Sequence, residues 1–189
     1  MLFQLGSLIG VLVFFSITEY LLQKRSHPET TEFTSFLITR DYLIAFSCGI
    51  LEYCIEKYFF AFKSNPYSLF IYIGFIMEGV GLFIRFNAIW HAGKSFNHLI
   101  QDEKAPEHVL VTDGIYRYIR HPSYLGFFIF AVGTQVMLQN LITTIGFIYV
   151  LWRFFDRRIR YEETTLIRFF GKDYDQYRRR TPTWIPFIK

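Results

Sequence analysis

Three apolar stretches fill the first half of the chain, and two shorter ones follow. Met1 to Leu22 is apolar apart from Gln4, Ser7, Ser16, Thr18 and Glu19. It has no basic leader and no small-residue cleavage site, so it reads as a retained first helix and not a signal peptide. Tyr42 to Phe62 is a second span, interrupted by Glu52, Glu56 and Lys57. Tyr67 to Trp90 is a third, carrying Glu78 and Arg85. Each approaches the roughly 20 apolar residues that cross a bilayer as a helix. Leu125 to Leu138 and Leu141 to Phe155 are broken at Gln139-Asn140, which predicts a closely packed helical hairpin.

The polar segments between them predict turns and a surface layer. His27-Pro28-Glu29 and Lys63-Ser64-Asn65-Pro66 are breaker clusters. Gly93 to Arg120 is too charged to span; within it Val109 to Val111 reads as a short extended stretch before a Thr112-Asp113-Gly114 turn. Asp156 to Lys189 is charged yet aromatic, predicting an amphipathic helix ending near Gly171 and then a segment lying against the membrane. The expected fold is an all-α integral membrane protein of about five transmembrane helices. Residues 1–92 hold the first three; residues 93–189 hold the hairpin and the cytosolic segments, within a single domain.

Charge orients this arrangement. Lys24, Arg25 and Arg40 lie in the first connection; Lys94, Lys104, Arg117 and Arg120 follow the third span. The tail carries Arg157, Arg158, Arg160, Arg168, Lys172, Arg178, Arg179, Arg180 and Lys189. With five crossings all three basic regions face one side, the cytosol, and the N-terminus faces the other.

Composition agrees. Of 189 residues 52% are hydrophobic and 21% aromatic, including 23 Phe and 13 Tyr, more than a soluble core of this size needs. The net charge of +4 comes mainly from the C-terminus and is a topological signal; no aromatic-and-basic motif points to nucleic acid. Cys48 and Cys54 fit neither a disulfide framework nor a zinc site, and read as buried small hydrophobes. No Rossmann glycine fingerprint, Walker loop, His-Glu-x-x-His or Gly-x-Ser-x-Gly is present, and no metal site is expected.

Candidate chemistry therefore gathers in the two cytosolic segments. In Arg120-His121-Pro122-Ser123-Tyr124-Leu125-Gly126, Pro122 suits a first helical position, and the backbone donors there can hold a carboxylate. A capped, Pro-initiated helix with an interfacial Tyr is the plainer reading. Downstream, Arg158 and Glu162 stand four apart on one helical face, with Glu163 and Leu166 around the next. A guanidinium suits a carboxylate ligand, and a surface ion pair is again the plainer reading. Arg85 is an arginine inside a span, which is a functional-site hypothesis by default, with snorkelling as its alternative and Glu52 and Glu56 as possible partners.

Together these segments resemble the protein-S-isoprenylcysteine O-methyltransferase family. The resemblance runs from about Gly79 to Phe187. It rests on Ser95-Phe96-Asn97-His98, the His-Pro-Ser-Tyr heptapeptide, Gly133-Thr134-Gln135, Trp152-Arg153-Phe154-Phe155, Arg160 with Glu162-Glu163 and Leu166, Phe169-Phe170-Gly171 and Pro182-Thr183 with Ile185-Pro186-Phe187. The His-Pro-x-Tyr and Glu-Glu pair is shared with membrane phospholipid N-methyltransferases and loosely with sterol reductases; the first and last segments favour the prenylcysteine enzyme.

The resemblance implies S-adenosyl-L-methionine bound by Gln101, His108, Val109, Leu110, Val111, Tyr116, His121, Pro122, Ser123, Tyr124 and Glu162. It implies Arg158 facing the substrate and Arg85 near the reacting carboxylate. The implied acceptor is the prenylated C-terminal cysteine of CaaX proteins, small GTPases among them, with the enzyme in the endoplasmic reticulum membrane and its site facing the cytosol. A phospholipid N-methyltransferase is the nearest alternative, and a non-catalytic membrane scaffold binding anionic lipid through Arg178-Arg179-Arg180 is another. Two departures stand out: Leu141 replaces a Pro after Asn140, and the chain has fewer N-terminal helices than longer animal members.

Overall fold

The apolar runs fold as helices because a backbone surrounded by lipid must satisfy its own hydrogen bonds. The computed structural model describes residues 2–59, 68–100, 103–104 and 108–188. Among these the architecture is entirely helical, with α1 Leu2–Ser26, α2 Arg40–Phe59, α3 Leu69–Ala92, α4 Pro122–Met137, α5 Leu141–Phe170 and α6 Lys172–Arg180. The expected Lys63–Pro66 turn lies outside the described residues.

Helices α1 and α3 are each long and apolar enough to cross a membrane, and α4 is a shorter apolar helix. Their outward faces carry large exposed apolar side chains: Phe3, Phe14 and Leu21 on α1, Leu43 and Leu51 on α2, Phe70, Ile76 and Phe83 on α3, Ile142, Ile145 and Tyr149 on α5. A contiguous apolar exterior of this kind is a lipid-facing surface. Cys48 and Cys54 belong to it: both are free and exposed, not buried as expected.

Inside, α3 and α4 form the tightest pair. A Cβ at Gly126 would come within 2.6 Å of the Arg85 nitrogen and the Gly81 carbonyl oxygen. One at Gly133 would meet Met77 Cβ at 2.8 Å. Without side chains at these places the two backbones approach directly, the small-residue packing typical of membrane helices. The central core then joins Leu8, Phe46, Tyr53, Ile71, Ala131, Met137 and Phe147 from five helices.

The hairpin turns at Gln139, which adopts the left-handed region at φ 61°. Glu52 of α2 caps the next helix from outside: its carboxylate accepts the Ile142 N–H at 2.7 Å and the Thr143 N–H at 2.6 Å. Asn140 Nδ2 donates to the Gly49 carbonyl at 2.8 Å, which ties the same turn to α2. Glu52 is thus committed to a helix start and not to Arg85.

The expected boundary at Phe155 is absent. Helix α5 runs 30 residues without interruption, about 45 Å at 1.5 Å per residue. No Gly or Pro lies between Phe147 and Phe170 to stop it. Gly171, with φ 56°, ends it and starts α6. The final segment packs back onto α4 and α5 through Ile185 and Ile188, beside Leu125, Phe155 and Ile159. Trp152 Nε1 secures it by donating to the Pro186 carbonyl at 2.7 Å.

Candidate active site

The first turn of α4 forms the floor of a polar cleft. His121 is the N-cap and Pro122 the first helical residue, as the sequence predicts. Facing it are the connection after α3, the last turns of α5 and helix α6. About 870 Å³ of free space, open solvent included, lies within and in front of the cleft.

His108, Val109, Leu110, Val111, Tyr116, His121, Pro122, Ser123, Tyr124 and Glu162 all line it. The two cytosolic segments meet here, the first through His108 to Val111, Tyr116 and His121 to Tyr124 and the second through Glu162. Gln101 lies outside the described residues. Val109 to Val111 follows the wall without forming a strand; Val109 N donates to Ser95 Oγ at 3.2 Å. Gly114, at φ 54°, makes the turn and stands against the His91 ring, where no Cβ would fit.

Tyr124 organises the floor. Its ring stacks on His121 at 5.5 Å and on Phe155 at 5.1 Å. Its hydroxyl donates to Glu162 Oε2 at 2.6 Å and accepts from Arg158 Nε at 2.9 Å. Arg158 and Glu162 therefore meet through this hydroxyl, which separates their functions along one helical face. Arg158 Nη2 also donates to the His98 carbonyl. With Arg153, Arg157, Phe154 and Ile100 it lines a second, open groove on the flank of α5. Ile100 borders both spaces, and the bond between Arg158 and the Tyr124 hydroxyl joins the groove to the cleft floor.

Glu163 points the other way and holds the scaffold. It is buried, accepts from Arg120 Nε at 2.6 Å and His121 Nε2 stands 3.3 Å away. Arg120 Nη1 donates to the carbonyls of Arg178 at 2.8 Å and Thr181 at 2.7 Å, and Arg120 N to that of Pro182 at 2.9 Å. One arginine thus stitches α4, α5 and the C-terminal segment together. Burial of two charges is tolerated because nearly every donor and acceptor finds a partner. The exception is Arg120 Nη2, buried without one at the cleft wall.

Arg85 does not line the cleft. Its Nε and Nη2 donate to Glu19 at 2.5 and 3.0 Å, and Nη1 donates to the Ser123 carbonyl and hydroxyl, both at 3.2 Å. It sits one layer behind the floor and pairs with Glu19, not with Glu52 or Glu56. Nothing in the amphipathic pattern distinguishes Glu19, the last polar residue of the first span, as its partner. Snorkelling is not its role either, since Arg85 is 6% exposed.

Burial lowers the pKa of the neighbouring histidines. Burial, then the charges of Arg85, Arg158 and His27, push the His98 pKa down to about 3. Its Glu19 neighbour at 3.4 Å does not offset this, being already committed to Arg85. Burial also lowers His108 and raises the Tyr116 hydroxyl, whose proton goes to the Ala88 carbonyl at 3.4 Å.

The cleft presents both apolar and charged surface to a ligand. Phe169, Phe170, Leu110 and Leu166 offer an apolar wall for a flat ring, and Glu162 a carboxylate for hydroxyls or an ammonium. Phe169, Phe170, Thr165, Tyr174 and Tyr177 were not singled out as site residues from the sequence; the first three reach the cleft from the last turns of α5, and the two tyrosines because α6 folds back after Gly171.

The model of the isoprenylcysteine carboxyl methyltransferase family matches residues 72–168, which contain both motif segments. A probable protein-S-isoprenylcysteine O-methyltransferase of Oryza sativa subsp. indica is 42% identical over 181 residues, 95% of this chain and 94% of that protein. The Homo sapiens protein-S-isoprenylcysteine O-methyltransferase is 39% identical over 177 residues, 93% of this chain and 62% of that one. A solved structure of the eukaryotic intramembrane Ras methyltransferase superposes with a TM-score of 0.95 at 37% identity, covering 99% of this chain and 67% of that chain. Likeness of this extent in sequence and fold, over the segments that build the cleft, makes the chain a member of the isoprenylcysteine carboxyl methyltransferase family.

Proposed function

We propose that the protein methylates the α-carboxylate of C-terminal prenylated cysteine, with the methyl drawn from S-adenosyl-L-methionine bound in the cleft. When bound, that donor supplies a methyl group on a sulfonium and leaves as a neutral thioether. The observation that carries the reading is the bond between Tyr124 and Arg158, where a polar cleft meets an arginine-lined groove on the flank of α5.

The residues then divide the work. Glu162, His121 and the wall from His108 to Val111 hold the donor, Tyr116 and Pro122-Ser123 shape the floor, and Gln101 closes the same set. Arg158 binds the acceptor carboxylate: Nε and Nη2 are fixed by Tyr124 and His98, and Nη1 is used by neither bond. An α-carboxylate with a pKa near ~3.3–3.7 is ionised at neutral pH, so the site needs no general base. This fits neutral His98 and His108, and a floor that offers arginines in place of a His–Asp pair. The contribution of the protein is alignment of the two reactants. Joining an anion and a cation into neutral products also favours a partly dry site.

The prenyl chain approaches from the lipid along Phe154 and the α5 flank, while the donor enters from the cytosol. Prenylated CaaX proteins such as small GTPases are the proposed acceptors, and the basic loops and tail support a cytosol-facing site in the endoplasmic reticulum membrane.

The test is direct. Purified protein is offered labelled donor with farnesyl-cysteine or with phosphatidylethanolamine. Methylation of the first and not the second is expected. Glu162→Ala and His121→Ala should lose donor binding, and Arg158→Ala should lose turnover while still binding donor. Label transferred to the amine instead, or full farnesyl-cysteine turnover by Arg158→Ala, refutes the assignment.

A further inference from the structure

Glu19 belongs to α1, a helix that contributes nothing to the cleft lining. Its side chain is wholly buried. A carboxylate inside an apolar helix is costly unless paired, and such residues are retained where something depends on them. Here the pairing is two-pronged. Arg85 grips both oxygens, and its guanidinium lies 5.4 Å from the Phe15 ring and 5.2 Å from Phe127, which hold its plane.

From this pair two chains of contact lead to the two halves of the site. One runs through Arg85 Nη1 to the carbonyl and hydroxyl of Ser123, in the first turn of α4 that floors the donor cleft. The other is a packing contact: Glu19 Oε2 lies 3.4 Å from His98 Nε2, which makes no hydrogen bond among the described residues, and the His98 carbonyl receives Arg158 Nη2. Arg158 returns through Tyr124 to the same first turn of α4. The loop closes on itself: α1, α3, the connection after α3, α5 and α4 are linked through one carboxylate.

We infer that Glu19 is a positioning residue for methyl transfer, setting Arg158 and the α4 first turn in register so that the acceptor carboxylate meets the donor in line. The inference rests on the methyl-transfer reading above. It separates from a simpler role in which Glu19 only neutralises Arg85. If neutralisation were all, an uncharged pair of similar bulk would serve as well, since buried ion pairs are often replaceable by apolar packing. If register is the role, the uncharged pair restores folding and leaves the rate low.

The experiment uses the full chain in nanodiscs, with Glu19→Gln, Arg85→Met, the double variant, and Glu19→Asp, which keeps the charge but withdraws it by one methylene. Thermal midpoint, affinity for S-adenosylhomocysteine as probe, and kcat and KM for farnesyl-cysteine are read for each. Glu19→Gln should lower the midpoint. The double variant should recover it, keep probe affinity within about threefold and remain about tenfold or more down in kcat. Glu19→Asp should likewise lose kcat with probe affinity retained. Wild-type kcat in the double variant, or in Glu19→Asp should the double variant fail to fold, overturns the inference. A kcat loss that merely tracks lost probe binding overturns it too. Wild-type protein that binds the probe yet leaves farnesyl-cysteine unmethylated refutes the functional reading itself, a result distinct from either.

Discussion

Replacing Tyr124 by Phe removes one oxygen and tests how the two halves of the site are joined. The ring stacks on His121 and Phe155 survive. What goes is a donated bond to Glu162 at 2.6 Å and an accepted bond from Arg158 at 2.9 Å. Bonds of this type to charged groups contribute about 1.5–3 kcal/mol each. Glu162 keeps His121 Nδ1 at 3.7 Å, and Arg158 keeps the His98 carbonyl, so neither charge is stranded. About one such bond is therefore the net loss, which corresponds to roughly a 10- to 100-fold drop in kcat/KM for farnesyl-cysteine. Donor affinity should fall less, because the cleft wall from His108 to Val111 is untouched. The assay is initial-rate methyl transfer at varied acceptor, with donor affinity measured separately by calorimetry. A kcat/KM within twofold of wild type would refute the bridging role, and equal losses in rate and donor affinity would show that Tyr124 serves only the donor side.

Glu52→Ala removes the cap on α5 and should lower stability by about 0.5–2 kcal/mol. A lower thermal midpoint with unchanged kcat per folded molecule is the expected pattern. Gly126→Val places bulk where the Arg85 nitrogen and Gly81 oxygen lie 2.6 Å from a Cβ; loss of folded monodisperse protein is expected on size-exclusion in detergent. The pH dependence of stability should carry a His98 component. Its folded pKa is about 3 against an ordinary 6.5, so below about pH 6.5 the unfolded chain takes up a proton that the folded one refuses. Stability should decline as pH falls from 6.5 toward 3, and His98→Gln should flatten that slope in denaturant titrations.

Local signals carried the helix starts and stops well. Pro122 after His121 announces a helix start from its missing N–H alone, and Gly171 announces a stop. Gln139-Asn140 marks the hairpin because both interrupt an apolar run. Interactions between distant elements were not legible. Glu19 and Arg85 are 66 positions apart, and the apolar pattern offers Glu52, Glu56 and Glu78 equally well. Only the packing of α1 against α3 decides which carboxylate lies near. The continuity of α5 was missed for a related reason: its composition changes at Asp156 because its surroundings change from lipid to water, while its backbone propensity does not. Neighbouring Glu162 and Glu163 likewise look equivalent until α6 and the tail claim one of them.

That unbroken α5 has a metric consequence. Phe154, Arg158 and Glu162 recur every fourth residue, so the proposed apolar approach, acceptor cation and donor carboxylate are graduated along one rigid rod at about 6 Å per step. The spacing of these three positions along α5 is then a property of helical pitch. A single residue inserted between Arg158 and Glu162 would swing Glu162 about 100° around the axis and take it out of reach of Tyr124, whereas an insertion in the Glu103–Lys104 region leaves the graduation intact.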